Sequence, residues 1–281
     1  MLLSLVVIYI LVLDGYIHPR TKMLTIEDLD QSDFGVIPFE STSPQYGNGT
    51  RILLVSAMFP LAKSKHSKED YAIWLGRFLG AMTTDVYMFT TPDLAETFTN
   101  IRGSLPITID TSYSSPFEVP PLVGLEETYT KMINIDKEGW RHSPGLYAVW
   151  NAKPFLLRTA LRNLAEKGIH YDYAFWSDGG SFRDNHAYKN WPDPGRIAQV
   201  WQEASQLTKK DKDELLFLPI FQPPAAKLSD WQEDMGPITS NPVQFSEGSF
   251  LLLYLLNYST ITYSLHRFIL RRIPIHSRMV R

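Results

Sequence analysis

Cysteine is absent from the 281-residue chain, and that single absence removes three chemistries. There is no disulfide framework, no thiolate zinc site and no cysteine nucleophile. An excess of charge of one sign is also missing: 27 Lys+Arg stand against 30 Asp+Glu, a formal net charge of −3. A nucleic-acid binder carries a basic stripe to meet phosphate, so this balance gives no support to a nucleic-acid partner. The sequence has no G-x-S-x-G elbow, P-loop, Rossmann glycine fingerprint or H-E-x-x-H. The hydrolase, nucleoside triphosphatase and zinc protease readings that depend on them are therefore unsupported. His66, His142, His170 and His186 lack metal-ligand spacing and read as ordinary polar residues.

One lack is local. Residues 248–281 contain no acid but five arginines, Arg267, Arg271, Arg272, Arg278 and Arg281. The first 247 residues hold 22 basic and 30 acidic side chains, a balance of −8. Two unlike pieces are averaged in the net charge.

What is present is a globular composition, 44% hydrophobic and 13% aromatic, enough for a sizeable core in one large domain or two small ones. The chain opens with an apolar run, Met1 to Leu13, that meets Asp14. Its length suits a signal-peptide core, and extension to residue 17 suits a short signal-anchor. Residues 1–17 are therefore expected to send the chain to a membrane of the secretory pathway (a Golgi-type anchor) or to secretion. The alternative is a buried strand, which the β-branched Val and Ile would also suit. Residues 18–50 read as a polar linker, acidic at Glu27–Asp30 and turn-rich from Ser41 to Thr50. Asn48-Gly49-Thr50 and Asn257-Tyr258-Ser259 are glycosylation sequons. The apolar stretch Phe250–Leu270 has a basic flank but is diluted by Asn257, Ser259, Thr260, Thr262, Ser264, His266 and Arg267. It reads as a membrane segment, as an amphipathic or buried segment, or as a tail outside the fold.

Between the ends, strands and helices alternate. Arg51–Phe59 is a continuous apolar run of the kind a buried parallel strand needs. Tyr71, Trp74, Leu75, Phe78 and Leu79 share one helical face. Asp85–Thr90 predicts a second strand, Pro92–Asn100 a helix, and Leu105–Asp110 a third strand. A Pro-rich crossing at Pro116, Pro120 and Pro121 and a polar segment lead to Ser143, after which helix spacing runs on to Gly168. Tyr171–Asp178 reads as an aromatic strand and Leu215–Phe221 as a late one. This order argues for an α/β domain with a largely parallel sheet.

The stretch Trp176-Ser-Asp-Gly-Gly-Ser-Phe-Arg-Asp184 is the most informative. Ligands of open α/β sheets bind beyond the carboxyl ends of strands. Asp178 at such an end, followed by Gly179 and Gly180, puts a carboxylate beside backbone that a ligand can approach. That suits a hard divalent cation on a diphosphate, with Arg183 offering a planar fork to phosphate. The plainer alternative is a tight turn whose Asp caps the next helix. Lys153, in Trp150-Asn-Ala-Lys-Pro154, reads as sitting near a helix start with Pro154 in the first turn. A cation there is unfavourable for folding alone, which points to an anionic ligand; a solvated lysine is the alternative.

These residues, in this order, resemble the HtrL/YibB-like family, which includes WfgS-type bacterial glycosyltransferases and many fungal members. The marks are Leu54–Phe59, Tyr71–Phe78, Tyr87–Thr91, Asn100-Ile-Arg102 near a position where the family carries an arginine, Trp150–Lys153, Phe175–Arg183, Trp191-Pro192, Trp231–Met235 and Glu247–Phe250. The resemblance covers residues 51–250. It implies a single GT-A-like α/β domain with a mostly parallel central sheet. The implied reaction moves a hexosyl unit from a nucleotide diphosphate sugar to a glycan or glycoconjugate hydroxyl. Ser56, Lys153, Asp178, Gly179, Gly180 and Arg183 would then bind the nucleotide sugar. Asp178 would take the place of the metal-binding D-x-D carboxylate for Mn or Mg. Gly180 occupies the second acid's position, so Asp178 would act with Asp184, water or the diphosphate. Glu247 and Asp184 are the candidate catalytic carboxylates; beside Gly248-Ser249, Glu247 also reads as a turn acid.

After Phe250 the chain departs from the family and enters the acid-free segment 251–281. The expectation is a C-terminally incomplete domain with a replaced tail. The contrasting expectations are an inactive membrane-associated remnant of the family, and a secreted sugar-binding module.

Overall fold

The computed structural model describes residues 49–218, except 65, 135, 137, 138, 213 and 214, together with 9–10 and 252–253. Glu247, Trp231–Met235, most of segment 1–17, nearly all of the 18–50 linker and the tail beyond Leu253 lie outside the described residues.

The centre is an all-parallel four-stranded sheet. Its strands are β2 (Ile52–Met58), β3 (Asp85–Thr90), β4 (Ile107–Asp110) and β5 (Tyr173–Trp176). Parallel ladders join β2 to β3, β3 to β4 and β2 to β5. Three short strands, β1 (Tyr9–Ile10), β6 (Leu216–Leu218) and β7 (Leu252–Leu253), extend it by antiparallel pairing, giving the order β1-β6-β7-β5-β2-β3-β4. The architecture is therefore α/β with a parallel core and an antiparallel extension. Two residues of the apolar-basic segment, Leu252 and Leu253, belong to that extension.

The continuous apolar runs in β2, β3 and β5 follow from burial on both faces. Leu53, Val55, Tyr87, Phe89, Ala174 and Trp176 face α4 (Pro144–Ala165), whose Ala148, Ala152, Leu156, Leu157 and Leu161 complete that layer. Ile52, Leu54, Val86, Met88, Tyr173 and Phe175 form the opposite layer with α1 (Lys68–Leu79) and α5 (Pro194–Thr208). Helix α1 begins at a capping box of Ser67 and Asp70 and buries Trp74, Leu75, Phe78 and Leu79. Helix α2 (Pro92–Arg102) follows β3, and α3 (Glu126–Ile133) precedes α4.

Helix α4 corrects one expectation. Its first turn holds Pro144, with the Ser143 hydroxyl accepting from the Leu146 N–H, and Pro154 lies deep inside the helix. Lys153 is therefore mid-helix, where its charge meets no helix-start penalty. Proline in a helix interior removes one hydrogen bond and crowds the carbonyl four residues before it, here that of Trp150. The buried stripe of α4 holds the helix together across that gap.

Polar side chains tie the amino edge of the sheet. Arg102, 1% exposed, donates to the carbonyls of Leu79, Met82, Thr84 and Pro106, at the approaches to β3 and β4. Burial pushes its guanidinium down to about 10, so it stays charged at neutral pH. Just before β2 and β5, the Arg51 N–H donates to Asp172, and Asp85 accepts from both Arg51 and Tyr171. Among the described residues no helix is long and apolar enough to cross a membrane.

Candidate functional site

The chain steps outward from β2 to β3 to β4 and then returns to the other side of β2 as β5. The segments leaving β2 and β5 therefore part in opposite directions, and such a switch point opens a crevice at the carboxyl ends of the strands. The Ser177 N–H still bonds the Val55 carbonyl at 2.9 Å, which leaves Asp178 as the first residue past the ladder.

Lys153 of α4 reaches this point. Its Nζ lies 2.9 Å from Asp178 Oδ1 and 3.0 Å from Oδ2, with the lysine side chain 11% and the aspartate 30% exposed. The Trp176 indole also donates to Asp178 Oδ1, at 2.6 Å. The aspartate caps no helix: α5 starts later, capped by Asp193. Lys153 is no solvated lysine. Its nearest anion in the structure is the carboxylate of Asp178.

Gly179 and Gly180 have a packing role. A Cβ on Gly179 would stand 3.2 Å from Leu75 Cδ2, and one on Gly180 would stand 3.2 Å from Tyr71 and 3.3 Å from Trp74. Helix α1 thus closes directly onto the turn, which the Ser181 N–H fastens to the Asp178 carbonyl at 3.0 Å. Arg183 is exposed and lies across Trp74, its guanidinium carbon 5.0 Å from the ring centroid. Asp184 is exposed and has no polar partner among the described residues. Ser56 is fully buried. Since Val55 pairs with Trp176, the ladder sets Ser56 opposite Ser177, and both hydroxyls lack a hydrogen-bond partner among the described residues. The predicted residues thus divide. Lys153 and Asp178 meet, Gly179, Gly180 and Arg183 lie along the same turn, Ser56 sits beneath, and Asp184 stands apart.

Two alternative phosphate and metal arrangements are poorly matched. The first turn of α1 carries Glu69 and Asp70, and Ser67 and Asp70 already occupy N–H groups there, so this helix start repels an anion. For a divalent cation, Asp178 is the one carboxylate among the described residues that pairs with Lys153, and that pairing already neutralises it. Among the described residues no group of three His, Asp or Glu converges on a metal position. Hard cations ask for several oxygen ligands, and the donor set here does not fit one without displacing Lys153. A further carboxylate at the carboxyl edge, Asp110, is consumed structurally: it accepts from Tyr87 at 2.6 Å, from the Ser112 N–H at 2.9 Å and from Asn163 at 3.3 Å.

Sequence reasoning missed a second cluster. The side chains of Met132, Asp136, His142, Tyr147 and Trp150 line a shallow, open pocket of ≈260 Å³. His142 Nδ1 lies 2.6 Å from Asp136 Oδ2, and the Tyr147 hydroxyl donates to the same oxygen. The only signal in the sequence is the three-residue spacing of Tyr147, Trp150 and Lys153, which aligns them along α4. No family model, curated protein or solved structure matches this chain. The functional reading therefore rests on the residues themselves.

Proposed function

We propose that the chain is a glycosyltransferase with a GT-A-like domain, moving a hexosyl unit from a nucleotide diphosphate sugar to a hydroxyl of a glycan or glycoconjugate. The observation that carries this reading is Lys153, a nearly buried cation held by Asp178 at the switch-point crevice. In the transfer, the bond from the sugar C1 to the diphosphate breaks and its electron pair leaves with the diphosphate. The acceptor oxygen bonds to C1, and the hydroxyl proton passes to a carboxylate. Asp184 is the described candidate for that base, and Glu247 lies outside the described residues. The ammonium of Lys153 meets the charge developing on the leaving diphosphate, which is where fixed electrostatic stabilisation contributes most. Arg183 swings from Trp74 to add a planar fork. These two cations supply the charge that Mn or Mg would otherwise bring, so no step runs through a metal. Tethering at a secretory-pathway membrane by residues 1–17 requires Tyr9 and Ile10 to leave their pairing with β6.

The closed Lys153–Asp178 pair equally suits a non-catalytic relative that keeps the crevice and turns nothing over. One experiment separates the two. The full chain is titrated with a panel of UDP- and GDP-hexoses, with and without Mn²⁺, by thermal shift and calorimetry, and release of nucleoside diphosphate is followed. The transferase reading expects stabilisation of the wild type and its loss in Lys153→Met and Asp178→Ala. Absence of stabilisation by every sugar nucleotide sinks it. Binding without turnover leaves the non-catalytic reading.

A further inference from the structure

We infer that the pocket formed by Met132, Asp136, His142, Tyr147 and Trp150 is a subsite for one neutral pyranose ring. Its role as the acceptor end of a glycan rests on the transferase reading; the binding of a sugar ring does not.

The pocket has two kinds of surface. One is aromatic: the rings of His142, Tyr147 and Trp150 stand 5.3 to 5.9 Å apart, centroid to centroid, in edge and tilted arrangements. The other is the Asp136 carboxylate, which His142 and Tyr147 hold in place. A pyranose presents the same pair of surfaces, a C–H face that lies on an aromatic ring and an edge of hydroxyl donors that a carboxylate accepts. Trp150 is 41% exposed, although large aromatics gain most by burial. The other side of α4 is its packing stripe, so Trp150 contributes to the pocket and not to the core.

Other ligand classes fit less well. An anion would meet the carboxylate of Asp136. A metal would find one carboxylate and one imidazole already engaged with each other. The volume of ≈260 Å³ suits a single ring. Location ties the pocket to the crevice: Trp150 and Lys153 are one helical step of three residues apart, neighbours on one face of α4 about 5 Å apart along the axis.

The test uses the full chain and four defined probes: methyl α-mannoside, methyl β-galactoside, methyl β-glucoside and methyl N-acetyl-β-glucosaminide. Binding is read by saturation-transfer NMR and titration. At least one glycoside is expected to bind, and Trp150→Ala is expected to weaken it about tenfold, the loss of one stacking platform with its hydrogen-bonded edge. Trp150→Phe should recover part of that loss, Asp136→Asn should weaken binding, and Trp140→Ala serves as an exposed control. No glycoside binding to wild type, or unchanged affinity in Trp150→Ala, overturns the subsite. Glycoside binding with no sugar-nucleotide binding upholds the subsite and removes the transferase reading instead.

Discussion

Lys153 and Asp178 neutralise one another from different layers, the lysine projecting from the middle of α4 and the aspartate from the turn that follows β5. The pair is asymmetric in burial, since the lysine is the more enclosed partner. Removing the carboxylate therefore costs more than removing the cation. Asp178→Asn should lower stability by about 1–3 kcal/mol, a partly buried pair standing between the exposed and buried limits. Lys153→Met should cost less, because Asp178 keeps its indole donor. In the double variant the losses should fall short of additive, and urea midpoints of all four proteins give the coupling.

Arg102 is expected to be the least replaceable residue described. Arg102→Met strands the buried carbonyls of Leu79, Met82 and Thr84, at about 1–3 kcal/mol for each unsatisfied group, and frees the part-buried one of Pro106, so the protein should express poorly or melt far lower. Arg102→Lys keeps the charge but not the fork, and should fall between the two. Thermal melts of the three proteins would rank them, and a Met variant as stable as wild type would contradict the assignment.

Tyr87 and Asp110 make stability depend on pH at both extremes. Burial alone would raise the Asp110 carboxyl, but hydrogen bonds from Ser112, Tyr87 and Asn163 outweigh it and hold it below the usual carboxylate range. A depressed carboxylate stabilises the fold above its unfolded pKa, and that contribution is lost as pH falls through the folded value. Tyr87 is shifted the other way, upward, by burial and by Asp110. Its contribution is complete below about pH 10 and disappears as pH rises through the folded value. Urea midpoints should fall below about pH 4, less steeply in Asp110→Asn, and above about pH 10, less steeply in Tyr87→Phe.

Two glycines should respond in opposite directions to alanine. At Gly180 a methyl meets Tyr71 and Trp74 at 3.2 and 3.3 Å, so Gly180→Ala should destabilise by about 1–2 kcal/mol through overpacking. At Gly76, exposed on α1 with nothing within 4 Å, alanine should stabilise by about 0.5–1 kcal/mol. Denaturant midpoints of the two variants test both signs.

The parallel core was legible because strands buried on both faces leave unbroken apolar runs, and β2, β3 and β5 fall where those runs lie. The α1 face was legible from its 3.6-residue period. Helix α5 was overlooked, although Asp193-Pro194 is a start signal and Ile197, Val200, Trp201 and Ala204 keep helical spacing. Helix α3 leaves little trace, since Tyr129 is its one fully buried side chain. At the site, Asp178 was legible as a carboxylate at a strand end. Its pairing with Lys153, 25 residues earlier, was not, because nothing in a linear chain announces which cation folds back. The second pocket was hidden for the same reason: Asp136 and His142 come from a polar stretch without period.

The bonds that cross the amino edge of the sheet fasten the starts of its strands to one another and to the segments that lead into them. Arg102 binds four carbonyls there, and Arg51, Asp85, Tyr171 and Asp172 lace β2, β3 and β5 together. A short Gly-Ser insertion after Lys63, on the opposite rim, should shift the melting temperature by a few degrees at most. The same insertion after Gly103 should be far more damaging, because it displaces Pro106 from Arg102. Such a scaffold can exchange the loops that meet a ligand without renegotiating the framework that carries them, so new specificities on this chain are more readily grafted than new stabilities.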